Sequence, residues 1–223
     1  MNIKPYFILL FATSLIAQTK VSDFVDYQKY DTENKMIMSA SNFQGKTVLM
    51  GDSITEFWKV NDPQFFEQNQ LIDRGISGQT TSQMLLRFRQ DVIALQPKSV
   101  VILAGINDIA QNAGPISVPQ IFDNIKSMVD LAKANKIQPI LCLLVPANRF
   151  PWRPEIIPTE KVTELNALIQ NYALKNALPL VDYYTPLKDS DSGLAKKYGD
   201  DGVHPNLEGY KVMEKTLMAV LKK

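Results

Sequence analysis

Ser53, Asp201 and His204 are the residues of this 223-residue chain whose types and spacing could do covalent chemistry on a carbonyl group. His204 is the sole histidine, so any imidazole chemistry must use it. Ser53 follows Gly51-Asp52, where a short apolar run passes into a helical segment. A hydroxyl there is exposed to the positive end of the helix dipole, although a serine at this place could equally be a plain N-cap. A serine nucleophile needs a base, and imidazole, with an unperturbed pKa of about 6.5, can take the hydroxyl proton and later return it to a leaving group. Asp201, three residues before His204, can accept a hydrogen bond from the second ring nitrogen, fix the tautomer and stabilise the imidazolium. Gly202 and Pro205 suit a shaped turn around this pair. A tetrahedral intermediate also needs hydrogen-bond donors aimed at its oxyanion. The backbone N–H groups of Ser53 and Gly78 and the side-chain amide of Asn107 are the candidates, with Gly78 and Asn107 also readable as turn residues. Asp52 and Asp108 are expected to hold their loops by accepting backbone hydrogen bonds.

These residues lie far apart in the chain, and the elements between them must bring them together. Short β-rich apolar runs alternate with longer helical segments from Lys46 onward, which implies parallel βαβ units. The predicted strands are Thr47 to Met50, Leu71 to Arg74, Ser99 to Leu103, Ile137 to Val145 and Pro179 to Val181. Helical spacing covers Pro63 to Asn69, Thr81 to Leu95, Val118 to Ala134, Thr159 to Ala177 and Leu207 to Leu221. Ser22 to Phe43 reads as a helix packed on the outside. Polar segments follow the strands: Gly51-Asp52-Ser53, Gly75-Ile76-Ser77-Gly78, Gly105-Ile106-Asn107-Asp108 and Asp201-Gly202-Val203-His204. In an open parallel sheet the carboxyl ends of the strands form the ligand crevice, so the four should meet there.

Composition narrows the classes. The chain is 45% hydrophobic and 21% charged, sufficient for one sizeable core, and no linker or repeat marks a second domain. A net charge of +1 without charged blocks disfavours nucleic-acid partners. One cysteine and one histidine exclude a disulfide framework and a multi-imidazole or multi-cysteine metal site, so no metal is expected. Cys142, within Ile-Leu-Cys-Leu-Leu, reads as a small buried apolar residue. Lys4 followed by the apolar run from Tyr6 to Ala17 reads as a signal peptide over residues 1–18, with a buried amino-terminal helix as the alternative. At about a dozen residues the run is shorter than the roughly 20 that span a bilayer. The expectation is an exported protein, periplasmic or extracellular, without stable membrane insertion; the sequence does not indicate an oligomeric state.

With these residues in place, the chain resembles the GDSL-type, or SGNH, hydrolases. GDSIT at 51–55, ISGQT at 76–80, GIND at 105–108 and DGVHP at 201–205 are similar to the family's four blocks and occur in the same order. The resemblance implies Ser53 as nucleophile, Gly78 and Asn107 as oxyanion donors beside the Ser53 N–H, His204 as base and Asp201 as its orienting acid. It also implies a flavodoxin-like three-layer α/β/α sandwich over residues 19–223, with five parallel strands ordered 2-1-3-4-5, and no metal or organic cofactor. The family contains carbohydrate O-acetylesterases, lysophospholipases, thioesterases and arylesterases, and the resemblance does not choose among them.

The substrate side is read from a proline-restrained loop, Pro146 to Pro158, which carries Arg149, Phe150, Trp152 and Arg153 as candidate contacts for a sugar ring or polar leaving group, or else forms a rigid lid. Phe57 and Trp58 either border the acyl pocket or belong to the core. Short loops at the crevice favour a small-molecule or glycan ester with a short acyl group, in first place an O-acetylated carbohydrate. A longer-chain lysophospholipase or thioesterase, an acyltransferase and a catalytically idle carbohydrate-binding domain stay open as alternatives.

Overall fold

The computed structural model describes residues 21–40 and 45–222. The signal-peptide reading of residues 1–18, and the end of the helix expected up to Phe43, lie outside the described residues.

All five expected strands form one parallel sheet: β1 (Thr47–Gly51), β2 (Leu71–Gly75), β3 (Ser99–Ile102), β4 (Gln138–Leu143) and β5 (Leu180–Asp182), in the order β2-β1-β3-β4-β5. Val48, Leu49 and Met50 of β1 and Val100, Val101 and Ile102 of β3 are all buried, with no in–out alternation, because helices cover both faces of the sheet. Ten helices are named among the described residues with the strands they flank. α1 (Val21–Val25) and α2 (Asp31–Ser39) precede the sheet, and α3 (Ser53–Asn61) and α4 (Pro63–Gln68) join β1 to β2. α5 (Thr81–Asp91) leads to β3, α6 (Ile106–Ile109) and α7 (Val118–Ala134) to β4, and α8 (Thr159–Lys175) to β5. α9 (Tyr184–Leu187) follows β5; the last helix, α10 (Leu207–Leu221), closes the chain. The buried hydrophobic side chains other than Val25, Tyr30 and Ile76 form one continuous cluster.

The chain leaves β1 toward β2 in one direction and later leaves β1's other side through β3, β4 and β5. Right-handed crossovers therefore put α5, α7 and α8 on one face and α3 and α4, with α10, on the other. On the second face Trp58 stacks on Phe65 (5.5 Å) and on Tyr210 of α10 (5.7 Å), and the Tyr210 hydroxyl donates to the Ile54 carbonyl at 3.0 Å. Both start positions of the reversal, the ends of β1 and β3, border the crevice expected at a topological switch point. The register pairs Gly51 with Gly75, so β1 and β2 end level. A Cβ on Gly75 would collide with the backbone N of Glu56 and the carbonyl O of Asp52, so glycine is what lets α3 cross directly over the end of β2.

Four expected elements differ from the structure by two residues or more. The helix read as Thr81 to Leu95 stops at Asp91; Ile93–Leu95 tighten into a 3-10 turn, since Pro97 disfavours helix at the residue before it. The strand read as Ile137 to Val145 ends at Leu143, where its short neighbour β5 ends; the Leu144 N–H donates instead to Asn166 Oδ1 at 2.8 Å. The third shift is one of length alone, α8 ending at Lys175 with Ala177 left-handed (φ 50°).

The fourth concerns the helix expected from Ser22, whose described part, up to residue 40, forms two helices instead of one, broken after Val25 with Asp26 at φ 53°. The break turns two polar side chains inward beside β2. The Tyr30 hydroxyl donates to Asp73 Oδ2 at 2.9 Å, and Asn34 accepts from Arg74 Nη2 at 2.7 Å while donating to Asp91 Oδ1 at 2.7 Å. β2 is an edge strand, and this segment covers it through specific polar bonds, a stronger role than outside packing.

Candidate active site

Ser53 owes its position to the abrupt passage from β1 into α3. Asp52 caps the helix, its Oδ1 accepting the Ile54 N–H at 3.0 Å, and Ser53 is the first helical residue. From the opposite end of the chain, the turn at 201–204 brings in the imidazole. Asp201 Oδ1 accepts the backbone N–H groups of Val203 and His204, each at 2.8 Å, and Oδ2 accepts from His204 Nδ1 at 2.6 Å. With Nδ1–H committed to the carboxylate, Nε2 presents its lone pair to the Ser53 hydroxyl at 2.8 Å. Burial alone would push the Asp201 carboxyl up, but the hydrogen bonds from the His204 ring and the two backbone N–H groups outweigh it and hold it below the usual range. The carboxylate therefore stays ionised beside a ring that must become cationic during proton transfer. Such a chain can move a proton off Ser53 and return it to a leaving group.

The loop holding Gly78 (φ 78°) is fixed from several sides. The Ile76 N–H donates to the Gly51 carbonyl at 3.1 Å, Ser77 donates from both N–H and hydroxyl to Glu56 Oε2 at 2.7 Å, and the Gln79 N–H turns back to the Ile76 carbonyl at 3.2 Å. Asn107, in α6, is buried, and its Nδ2 donates to the Gln79 carbonyl at 3.1 Å. The second and third polar segments thus meet at Gln79. Asp108 accepts from the Thr81 N–H (2.8 Å) and hydroxyl (2.6 Å), the loop-holding role expected of it. Burial pushes the carboxyls of both Asp52 and Asp108 up to about 6.

The candidate substrate contacts separate. Trp152 is 42% exposed, with its ring 6.1 Å from that of His204, and Phe57, 39% exposed, has its ring 5.4 Å from the same imidazole. Trp58 belongs to the core. Arg149 is exposed and its Nε donates to the Asp201 carbonyl at 3.4 Å, so its side chain lies against the turn that holds Asp201 and His204. Phe150 departs from its expected role: it is 0% exposed and packs beneath Trp152 at 5.3 Å, so a ligand could feel it only through that indole. Arg153 is engaged by Glu155 at 3.6 Å. Cys142 is buried, as its apolar surroundings imply, and burial pushes its thiol up.

Residues missed by sequence reasoning support this framework. Arg87, wholly buried, donates to the Gly51 carbonyl at 3.0 Å and to Gln79 Oε1 at 2.5 Å and pairs with Asp91 at 3.0 Å. Its signal was available: Met84, Arg87, Phe88 and Asp91 share one face of α5, an ion pair on an apolar stripe. Glu56 and Asn112 carried no comparable signal.

The sequence model of the GDSL-like lipase/acylhydrolase family matches residues 49–212. The chain belongs to this family. A GDSL-like lipase from Bacteroides thetaiotaomicron VPI-5482 is 47% identical, covering 89% of this chain and 98% of that one, with a TM-score of 0.86. A second solved structure, from Bacteroides fragilis NCTC 9343, is 45% identical over 90% of this chain and 98% of that one, with a TM-score of 0.85. The isoamyl acetate-hydrolyzing esterase of Saccharomyces cerevisiae is 27% identical over 208 residues, 79% of this chain and 86% of the relative. The protein is accordingly a GDSL-type carboxylic ester hydrolase of the α/β class. Among the described residues no group of three or more His, Cys, Asp or Glu side chains could hold a metal ion, and no helix is long and apolar enough to cross a membrane.

Proposed function

We propose that this GDSL hydrolase cleaves short-chain esters, in first place O-acetyl esters of carbohydrates, through an acyl-enzyme on Ser53. The observation that carries the reading is the unbroken chain from Ser53 to His204 (2.8 Å) to Asp201 (2.6 Å). Ser53 Oγ attacks the ester carbonyl as His204 Nε2 takes its proton, and the new C–O bond leaves a tetrahedral oxyanion facing the Ser53 and Gly78 N–H groups and the Asn107 amide. The intermediate collapses by breaking the bond to the alcohol, which receives the proton from His204. Water, deprotonated by His204, then attacks the acyl-enzyme and releases the acid. Asp201 orients the ring throughout and offsets its charge.

Two features support the choice of substrate. The crevice-side connections after β1, β2 and β3 are only a few residues long, so that half of the crevice offers little chain to enclose a fatty acyl group; the longer connections follow β4 and α9. The exposed Trp152 and Arg149 beside the acid–base loop suit a sugar ring and its hydroxyls. The yeast relative, an isoamyl acetate-hydrolyzing esterase, agrees on the acetyl group and differs in the alcohol. Residues 1–18 act in this reading as a cleaved export signal, with residues 19–223 as the hydrolase domain.

Ser53→Ala tests the core of the proposal: p-nitrophenyl acetate hydrolysis should fall by at least about 10³-fold with the fold retained. Full activity in that variant removes Ser53 as nucleophile. A series of p-nitrophenyl esters should favour C2 to C4; preference for C8 or longer would point to a lysophospholipase or thioesterase. Acetylated oligosaccharides, with and without added sugar acceptor, then separate hydrolysis from acyl transfer.

A further inference from the structure

Asn112 lies on the surface just beyond α6, yet its side chain touches three separate parts of the site. Its backbone N–H donates to the Asn107 carbonyl at 3.0 Å. Its Nδ2 donates both to Asn107 Oδ1 (2.9 Å) and to the Gly78 carbonyl (3.2 Å), and its Oδ1 accepts the indole N–H of Trp152 at 3.3 Å. We propose that Asn112 is a positioning residue that couples the leaving-group side of the crevice, at Trp152, to the oxyanion donors Gly78 and Asn107. The inference rests on the assignment of those two donors made above.

The physical argument is one of orientation. A primary amide is nearly symmetric in shape, so only its partners decide which way Asn107 faces. The Gln79 carbonyl can only accept and therefore demands Asn107 Nδ2; the Asn112 NH₂ can only donate and demands Asn107 Oδ1. The two demands select one orientation and leave the second Nδ2 hydrogen of Asn107 for the substrate. Asn112 faces the same ambiguity, and the donor-only indole N–H of Trp152 resolves it by claiming Oδ1. Because one Nδ2 group bridges Asn107 and Gly78, it also sets the spacing of the two loops on which they sit. A ring resting on the exposed face of Trp152 thereby bears on the first link of a chain that ends at the oxyanion. The 3.3 Å indole contact is the longest link and the one most open to modulation by the alcohol.

The test uses Asn112→Ala, Asn112→Asp, Trp152→Phe and the double variant Asn112→Ala/Trp152→Phe, with Asn107→Ala as reference. The readouts are steady-state kinetics on p-nitrophenyl acetate and inhibition by an alkyl boronic acid, which forms a tetrahedral serine adduct. Asn107→Ala should lower kcat about 10²- to 10³-fold, the usual effect of losing one oxyanion donor. Asn112→Ala should lower kcat by about 10-fold with KM little changed, and weaken the boronic acid by the same factor. Asn112→Asp, an acceptor facing Asn107 Oδ1 and the Gly78 carbonyl, should be worse than alanine. Trp152→Phe should cost about threefold in the wild-type background and nothing further in Asn112→Ala. Since Asn112 and Trp152 are exposed, the variants should fold, which circular dichroism checks. A change in KM alone, or a kcat for Asn112→Ala within twofold of wild type while Asn107→Ala is crippled, overturns the positioning role. Additive Trp152 and Asn112 effects overturn the coupling. Full activity in Asn107→Ala would instead remove the oxyanion assignment beneath both.

Discussion

Glu56 Oε2 accepts both the backbone N–H and the hydroxyl of Ser77 at 2.7 Å, so the helix that starts at Ser53 also holds the loop that carries Gly78. Ser53 and the Gly78 loop, the proposed nucleophile and oxyanion donor, are thereby fixed to each other one helical turn from the Ser53 hydroxyl. Glu56→Ala should lower kcat on p-nitrophenyl acetate by about 10-fold, less than outright loss of an oxyanion donor, and change KM little. A loss below twofold would show that the loop keeps its place without this tether.

Buried carboxyls give stability a pH dependence of unusual sign. Burial raises Asp52, Asp73 and Asp108 to about 6, above their unfolded values near 4. Between those limits the folded state binds more protons than the unfolded chain, so these groups make the protein more stable as the pH falls from about 6 to about 4. Asp201, Glu56 and Asp62 are shifted down and act in the opposite sense at lower pH. Asp52→Asn removes one of the raised groups. The difference in Tm between wild type and this variant should move in favour of wild type on going from pH 6.5 to 4.5, as scanning calorimetry would read. A constant difference would contradict the shift.

Gly202, between Asp201 and His204, is held at φ 87°, and a Cβ there would lie 3.0 Å from Arg149 Nε. Gly202→Ala should cost about 1–2 kcal/mol from the left-handed backbone alone and, on the proposed mechanism, reduce kcat by disturbing Asp201 and His204 together. Adding Arg149→Ala relieves the contact but not the dihedral strain, so thermal stability should recover only in part. Full recovery would place the whole penalty in the side-chain clash.

Arg87 and Asp91 form an ion pair with neither partner reaching solvent. Removing one partner leaves a buried uncompensated charge, so Arg87→Leu should destabilise by about 3–5 kcal/mol. It also strips the Gly51 carbonyl and Gln79 of a donor. Urea unfolding of Arg87→Leu and of Arg87→Leu/Asp91→Leu should show the double variant regaining part of the loss. A double variant no more stable than the single would mean the guanidinium's bonds to Gly51 and Gln79, and not the charge pair, dominate.

Five strands, their parallel sense and the convergence of four polar segments were legible because buried parallel strands read as unbroken apolar runs and because three of the segments lie at or within a few residues of a strand end, the fourth coming later, after β5 and α9. The meeting of Ser53, Asp201 and His204 was legible as well, since the chain offers no second histidine and Asp201 stands three residues from it. Local signals of this kind survive in one dimension.

The remainder depends on distance through space. Phe57 and Trp58 are adjacent in sequence, yet helix rotation sends one to the crevice and the other to the core; Phe150 and Trp152 divide in the same way. Tyr30 and Asn34 look like ordinary polar helix residues until the break at Asp26 turns them against β2. Asn112 is one of many asparagines until α6 brings it between Asn107, Gly78 and Trp152. The residue types and their order along the chain determined which atoms could do the chemistry. Which groups hold those atoms in place was decided only by packing, because hydrogen bonds between residues tens of positions apart leave no periodicity to read.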